Sequence, residues 1–202
     1  ENPSYSFSAL KVLNDMNILI FRDIGGILKS TDYGDSWTEI STPVPNYRFS
    51  KVNFLNELTG YALAGQYIER TFDGGLTWDS IKVPLSGGDF NWTGYSDMSF
   101  INTNTGWICA AVYTYHSTNG GGWFSYSNVI KKTTNAGLNW NIIYSSNNEN
   151  QYTSLKFFDE NTGYSWIGHN FLKTTNGGGS WSVLFTDSYF NYFVGPLEMV
   201  NV

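Results

Sequence analysis

Charge is scarce in this chain. Only 14% of its 202 residues are Asp, Glu, Lys or Arg, against roughly 25% in a typical globular domain. The formal net charge is −6 and the pI about 4.7. The clustered Lys and Arg that nucleic acid selects are therefore missing, and an anionic membrane surface is an equally poor match. No apolar run approaches the roughly 20 residues of a membrane-spanning helix, so no membrane insertion is expected. Nor does any stretch of about 15 residues keep apolar side chains at helical spacing without a Gly or Asn break. A single cysteine, Cys109, excludes a disulfide framework; within Trp107-Ile108-Cys109-Ala110-Ala111 it reads as a small buried apolar side chain. The two His give no zinc spacing and no Ser-His-Asp arrangement. Gly120-Gly121-Gly122 and Gly177-Gly178-Gly179 open no helix, which removes a phosphate cradle. Neither metal nor cofactor is expected. The chain opens at Glu1 without Met or a signal-like segment, as a mature or trimmed chain would.

What is abundant is aromatic residues, at 18%, and glycine, with 21. Both fit short strands joined by tight turns. Four octads share the pattern [S/T]-x-[D/N]-x-G-x-x-W: Ser30 to Trp37, Thr71 to Trp78, Thr133 to Trp140 and Thr174 to Trp181. Each sits between two short apolar runs and so reads as a hairpin turn. The carboxylate or amide oxygen of Asp32, Asp73, Asn135 and Asn176 is placed to accept main-chain N–H groups just downstream. Gly34, Gly75, Gly137 and Gly178 suit a positive φ. Trp37, Trp78, Trp140 and Trp181 supply a large apolar plug. Asn serves such a turn as well as Asp, so nothing in it requires a charge, and these twelve residues are assigned to scaffold rather than to catalysis or metal.

A second signature precedes three octads: Phe54 with Thr59-Gly60-Tyr61, Phe100 with Thr105-Gly106-Trp107, and Phe157 with Thr162-Gly163-Tyr164. The first repeat has Asn14-Asp15-Met16-Asn17 instead. Each repeat is then four strands, A to D, as in a propeller blade. The expectation is an all-β chain: a β-propeller of four-stranded antiparallel blades, at about 8–42, 48–84, 96–145 and 152–186. The first strand of a fifth blade follows at 194–202. Four blades and a strand do not close a ring, so residues 1–202 are expected to be one truncated propeller of about six to eight blades.

The octads resemble Asp-box (BNR) repeats. The longer unit is similar to the repeats of photosystem II assembly-factor-like propellers and of secreted bacterial sialidase- and xyloglucanase-type propellers. That resemblance implies a fold and leaves function open. It is the departures from the repeat that carry functional information. Octad Trp residues are 41, 62 and 41 apart. The third blade is therefore longer, between its strands B and C and in the connection that precedes it. In a propeller these two connections share one face, opposite the octad turns. The inserted segments are rich in rings: Trp92 and Tyr95 in one, and Tyr113, Tyr115, His116, Trp123 and Tyr126 in the other. These seven are the candidate ligand-binding residues, forming a stacking platform for a glycan or a protein segment. Ser188-Tyr189-Phe190-Asn191-Tyr192-Phe193 adds rings to the same face.

The reading that follows is a non-catalytic, secreted or cell-surface bacterial module that binds a glycan or protein partner. Its partner is alternatively the rest of its own propeller or a larger assembly. A fragment of a sialidase- or xyloglucanase-like glycoside hydrolase is one alternative, and a scaffold or assembly factor another. Sialidase chemistry needs an arginine cluster, whereas Arg22, Arg48 and Arg70 fall in three different parts of the repeat. Phe21-Arg22-Asp23-Ile24 is similar to the sialidase Phe-Arg-Ile-Pro motif but breaks it at two positions. A paired-carboxylate hydrolase would draw on Asp89, Asp97 and Asp187 as loop acids. No catalytic residue is assigned.

Overall fold

The computed structural model describes residues 6–23, 25–44, 46–84, 95–147 and 153–187, and the main chain of 91–92. Among them there is no helix. The first sheet is β1 (Phe7–Val12), β2 (Ile18–Arg22), β3 (Ile27–Ser30) and β4 (Thr38–Ile40). The second is β5 (Phe49–Phe54), β6 (Gly60–Ala64), β7 (Tyr67–Thr71) and β8 (Asp79–Lys82). The third has a short strand β9 (Asn91–Trp92), then β10 (Tyr95–Phe100), β11 (Gly106–Thr118), β12 (Gly121–Thr133) and β13 (Asn141–Ser146). The fourth is β14 (Thr153–Phe157), β15 (Gly163–Ile167), β16 (Asn170–Thr174) and β17 (Ser182–Thr186). Apart from β9, which pairs with β11, neighbours in sequence within each sheet are antiparallel neighbours in space, which is the meander of a propeller blade. The fifth-blade strand expected at 194–202 lies outside the described residues.

The chain forms two compact units, Glu1–Val83 and Pro84–Val202, each with two blades. In the first, Leu19, Phe21, Ile27, Phe49, Val52, Ala62, Ala64 and Trp78 make one buried cluster. In the second, Trp107, Cys109, Ile130, Leu155, Phe157, Ile167 and Leu172 make another. Its centre is the stack of Trp107 on Phe157, with centroids 3.6 Å apart and planes within 2° of parallel.

The octads fold alike in all four blades. The opening hydroxyl accepts the N–H of the fixed glycine, as from Gly75 to Thr71 at 2.8 Å and from Gly137 to Thr133 at 3.0 Å. The same hydroxyl donates to the Asp or Asn oxygen. That oxygen also accepts the N–H four residues on, whether it belongs to Asp32, Asp73, Asn135 or Asn176. Asp32 is held below the usual carboxylate range, chiefly by the Ser36 hydroxyl. At Asp73 partial burial pushes the pKa up, but the bonds from Thr77, Thr71 and Leu76 outweigh it. Two consecutive residues, not one, take positive φ: Tyr33 and Gly34, Gly74 and Gly75, Ala136 and Gly137, Gly177 and Gly178. Tyr33 and Ala136 occupy a conformation that disfavours any residue with a Cβ.

The Phe and Gly of the second signature are one packing unit. A Cβ on Gly60, Gly106 or Gly163 would lie 2.5–2.6 Å from the ring of Phe54, Phe100 or Phe157. The ring crosses the strand only where the side chain is absent. It then meets the octad Trp edge-on, as Phe54 meets Trp78, Phe100 meets Trp140 and Phe157 meets Trp181. The first blade has Val12 and Ile18 at these places, and its Trp37 stays 37% exposed where Trp78 is 8% exposed.

The turn between strands A and B is also repeated. Asn14, Asn56, Asn102 and Asp159 each accept two downstream main-chain N–H groups at 2.7–3.1 Å. A cation precedes every octad: Lys29, Arg70, Lys132 and Lys173. Lys29 donates to the Gly74 carbonyl in the octad of the next blade at 2.6 Å. At the equivalent junction in the second unit, the Trp107 indole N–H takes the Gly177 carbonyl at 3.1 Å, with the Lys132 ammonium 4.9 Å from the Trp107 ring.

Candidate functional site

The insertion of the third blade is not a loop. It prolongs strands B and C into a regular hairpin, with β11 and β12 both 13 residues long and paired from Gly106↔Thr133 to Thr118↔Gly121. The turn is Asn119-Gly120. The hairpin outruns its neighbours: β13 pairs with β12 only as far as Asn128↔Ser146, and β10 reaches Ala110. Beyond that, β9 adds a short rung, with Trp92 opposite Tyr113 and Asn91 opposite Thr114.

Strand alternation then decides where each ring goes. Tyr113 and Tyr126 are cross-strand partners with centroids 5.0 Å apart, and Tyr115 and Phe124 are likewise 5.0 Å apart. These four share the face of Trp107, Cys109 and Ile130. His116 and Trp123 form the next pair, stacked at 4.0 Å and 18°, and lie on the opposite face. The His116 Nε2 is 2.8 Å from the Ser125 hydroxyl, which fixes the imidazole plane against the indole. The single aromatic face expected from the insertion is therefore two faces of one hairpin. Toward the tip the rings become exposed, with Trp123 56% and Phe124 57% accessible.

Tyr95 departs from expectation. It is the first residue of β10 rather than part of an inserted loop, and it is 2% exposed. Its phenol is pushed up by burial. Its hydroxyl donates to the Pro84 carbonyl at 3.5 Å, and the Lys131 ammonium sits 5.9 Å from its ring and donates to the same carbonyl. Burial lowers the pKa of Lys131. A ring so enclosed offers no platform. Trp92 is placed by its strand pairing alone.

Asp97, expected as a loop acid, is also inside β10 and 3% exposed. Its carboxylate accepts the Ser154 hydroxyl at 2.8 Å, the Leu155 N–H at 3.1 Å and the Met98 N–H at 2.9 Å. It ties strand A of the third blade to strand A of the fourth. Ser99 repeats the device on Phe157, accepting its N–H at 3.0 Å. Cys109 is fully buried, and its thiol is pushed up to about 12 by burial and the neighbouring Asp97, so it is no nucleophile. Asp187 has its N–H and carbonyl engaged with His169. Asp89 lies outside the described residues, as do 188–193. The three arginines each face a separate carboxylate: Arg22 meets Glu39, Arg48 meets Asp23 and Arg70 meets Asp79. Among the described residues no group of three or more His, Cys, Asp or Glu gathers as a metal site.

No family model matches the chain, and no curated protein does. The likeness is to solved propellers. An ancestral GH74 enzyme is 19% identical, with a TM-score of 0.57 over 87% of this chain and 23% of its own. YCF48 bound to a D1 peptide is 16% identical, with a TM-score of 0.40 over 89% of this chain and 66% of its own. YCF48 from Cyanidioschyzon merolae is 15% identical, with a TM-score of 0.40 over 89% of this chain and 72% of its own. The blades are propeller blades. At such identities the likeness reaches the fold and stops there, and the chain spans under a quarter of the GH74 enzyme's length.

Phe124 is the site residue that the sequence reading passed over. It falls within the insertion, and alternation from Tyr126 across the Asn119-Gly120 turn would have put it opposite Tyr115.

Proposed function

We propose that this chain is a non-catalytic interaction module, built on Asp-box-type blades, that engages a glycan or protein partner through the third-blade hairpin. The observation that carries this reading is the hairpin tip, where Trp123 and Phe124 remain more than half exposed although they belong to a continuous ladder of 13 register pairs. Trp is among the residue types that dominate binding hot spots, and an exposed indole at a hairpin tip is placed to act as one. His116 occupies one face of the Trp123 indole, which leaves the other to stack on a sugar ring or a partner side chain. The alternative catalytic reading loses one of its three candidate acids, since Asp97 is committed to joining two blades. A secreted or cell-surface location fits the low charge and the wealth of Asn, Ser, Thr and Tyr.

The test is a glycan-array screen of the purified chain beside Trp92→Ala and Trp123→Ala. Binding by the parent, lost in Trp123→Ala with the strand spectrum unchanged, is the expected result for a sugar ligand. Binding that survives Trp123→Ala and Phe124→Ala together would sink the hairpin as the site.

A further inference from the structure

The hairpin has edges as well as faces, and toward the tip its outer edge carries no strand among the described residues. Past Asn128, the β12 segment Gly121–Ser127 meets no strand on the side away from β11 among the described residues. An open edge offers a row of main-chain donors and acceptors to any other strand, and proteins usually guard such rows with charge or proline. This one is unguarded: from Gly106 to Ile130 there is no Asp, Glu, Lys, Arg or Pro. The inner edge already accepts a strand, since β9 pairs with β11 at Tyr113 and Thr114.

From this the geometry points to a second copy of the chain as the occupant of the outer edge, the two β12 strands pairing antiparallel about a twofold axis through Gly121–Ser127. Three observations select a second copy over a foreign strand. An antiparallel edge is its own complement, because residue i meeting j implies j meeting i. The net charge of −6 would oppose self-association, but none of it resides on this segment, so the two copies meet where they do not repel. The new ladder would also run on from the β12–β13 ladder, which stops at Asn128. Pairing would bring Trp123 of each copy onto one face of the new sheet and Phe124 onto the other, removing apolar surface from water on both sides. Because the twofold contact uses the same edge on both copies, the association closes at two instead of growing into a fibre. A contact of about seven residues per strand falls in the small, transient class of interfaces, so the dimer should be weak. The inference goes beyond the binding reading, because it rests on the main-chain edge of the hairpin and not on a ligand at its rings.

Sedimentation velocity across roughly 10–500 µM tests it, since a weak interface dissociates in the micromolar range. The expected result is a concentration-dependent monomer–dimer equilibrium, with amide exchange at 121–127 slowing as the dimer forms. Phe124→Lys places a like charge on both copies and should weaken association at least about tenfold. Leu138→Lys, at an octad position 60% exposed, should leave it unchanged. Unaltered strand circular dichroism keeps Phe124→Lys interpretable. A monomer at every concentration would overturn the proposal. So would a dimer indifferent to Phe124→Lys, or one without protection at 121–127. Glycan binding is read by the array, so either idea can fail while the other stands.

Discussion

The third-blade hairpin changes character halfway along. Its proximal half, from Gly106 to Val112 and from Asn128 to Thr133, is buried almost without exception and faces a packed neighbour. Its distal half, from Tyr113 to Tyr126, keeps the same register, backbone and wealth of rings, yet becomes progressively exposed. The rings themselves are used differently. Trp107 in the proximal half lies flat on Phe157, donates its N–H to Gly177 and carries the Lys132 cation. Trp123 in the distal half lies flat on His116 and stays 56% exposed. An aromatic side chain in a strand thus reveals nothing of its role until its cross-strand and cross-blade partners are known. One half of the element is packed into the fold, and the other projects with Trp123 and Phe124 more than half exposed.

The largest expected effect is at Trp107. Trp107→Ala removes the centre of the second unit's core and orphans the Gly177 carbonyl, so it should cost about 3–5 kcal/mol in denaturant unfolding. A cost near that of a surface change would erase the distinction between the halves. Next comes a contrast between buried carboxylates. Asp97, at the proximal base, has three hydrogen bonds. Glu69, in β7 of the second blade, is 0% exposed and neither oxygen makes a hydrogen bond of ordinary geometry. Burial pushes its pKa up from 4.5 to about 7, with the Val44 main chain and the Ser80 hydroxyl offsetting only part. The folded state therefore holds the proton more tightly than the unfolded chain does. Stability from this group is complete below pH 4.5 and is lost as pH rises to about 7, by roughly 3 kcal/mol in total. Glu69→Gln should flatten that part of the profile, and an unchanged slope would show that the carboxylate is stabilised by groups other than these. Gly106→Ala follows, at about 1–3 kcal/mol, since its new Cβ would strike the Phe100 ring. Pairing it with Phe100→Leu should recover part of the loss if ring and glycine are one unit.

Much of this architecture was legible because local chemistry dictates it. The octads were readable as turns since their hydroxyl, oxygen, glycine and Trp all act within eight residues. Phe54, Phe100 and Phe157 could be tied to their glycines by spacing alone, though the reason, a ring lying across the bare Cα, needed three dimensions. The Asn14, Asn56, Asn102 and Asp159 turns are equally local, but their shared signal is a single Asn or Asp three residues before the end of the turn, weaker in sequence than the Thr-Gly that the first blade lacks. The cations before the octads were visible in sequence, but their partners were not: Lys29 reaches Gly74 in the next blade, whereas Arg70 meets Asp79, and Lys132 and Lys173 meet Trp107 and Tyr164, within their own blades. The site was harder. Counting two by two from Tyr113 separates His116 from the tyrosines, so the division of the rings between two faces was available in principle. The burial of Tyr95 and Asp97 was not. Both belong to β10, and what encloses them comes from segments distant in sequence: Pro84 and Lys131 around Tyr95, Ser154 and Leu155 around Asp97.

The smallest effect on folding is expected where the comparison predicts the largest effect on function. Trp123 is more than half exposed and, among the described residues, stacks on His116, so Trp123→Ala should shift unfolding by no more than about 0.5 kcal/mol. Its loss frees the His116 ring, whose link to Ser125 remains, so the hairpin register should persist, as an unchanged pattern of slow amides over Gly106–Val112 would report. If the distal half is a binding arm, this variant folds like its parent and binds nothing. If instead it unfolds with the cost of a core Trp, then the distal rings are packing for a surface not yet seen, and the two halves of the hairpin are one.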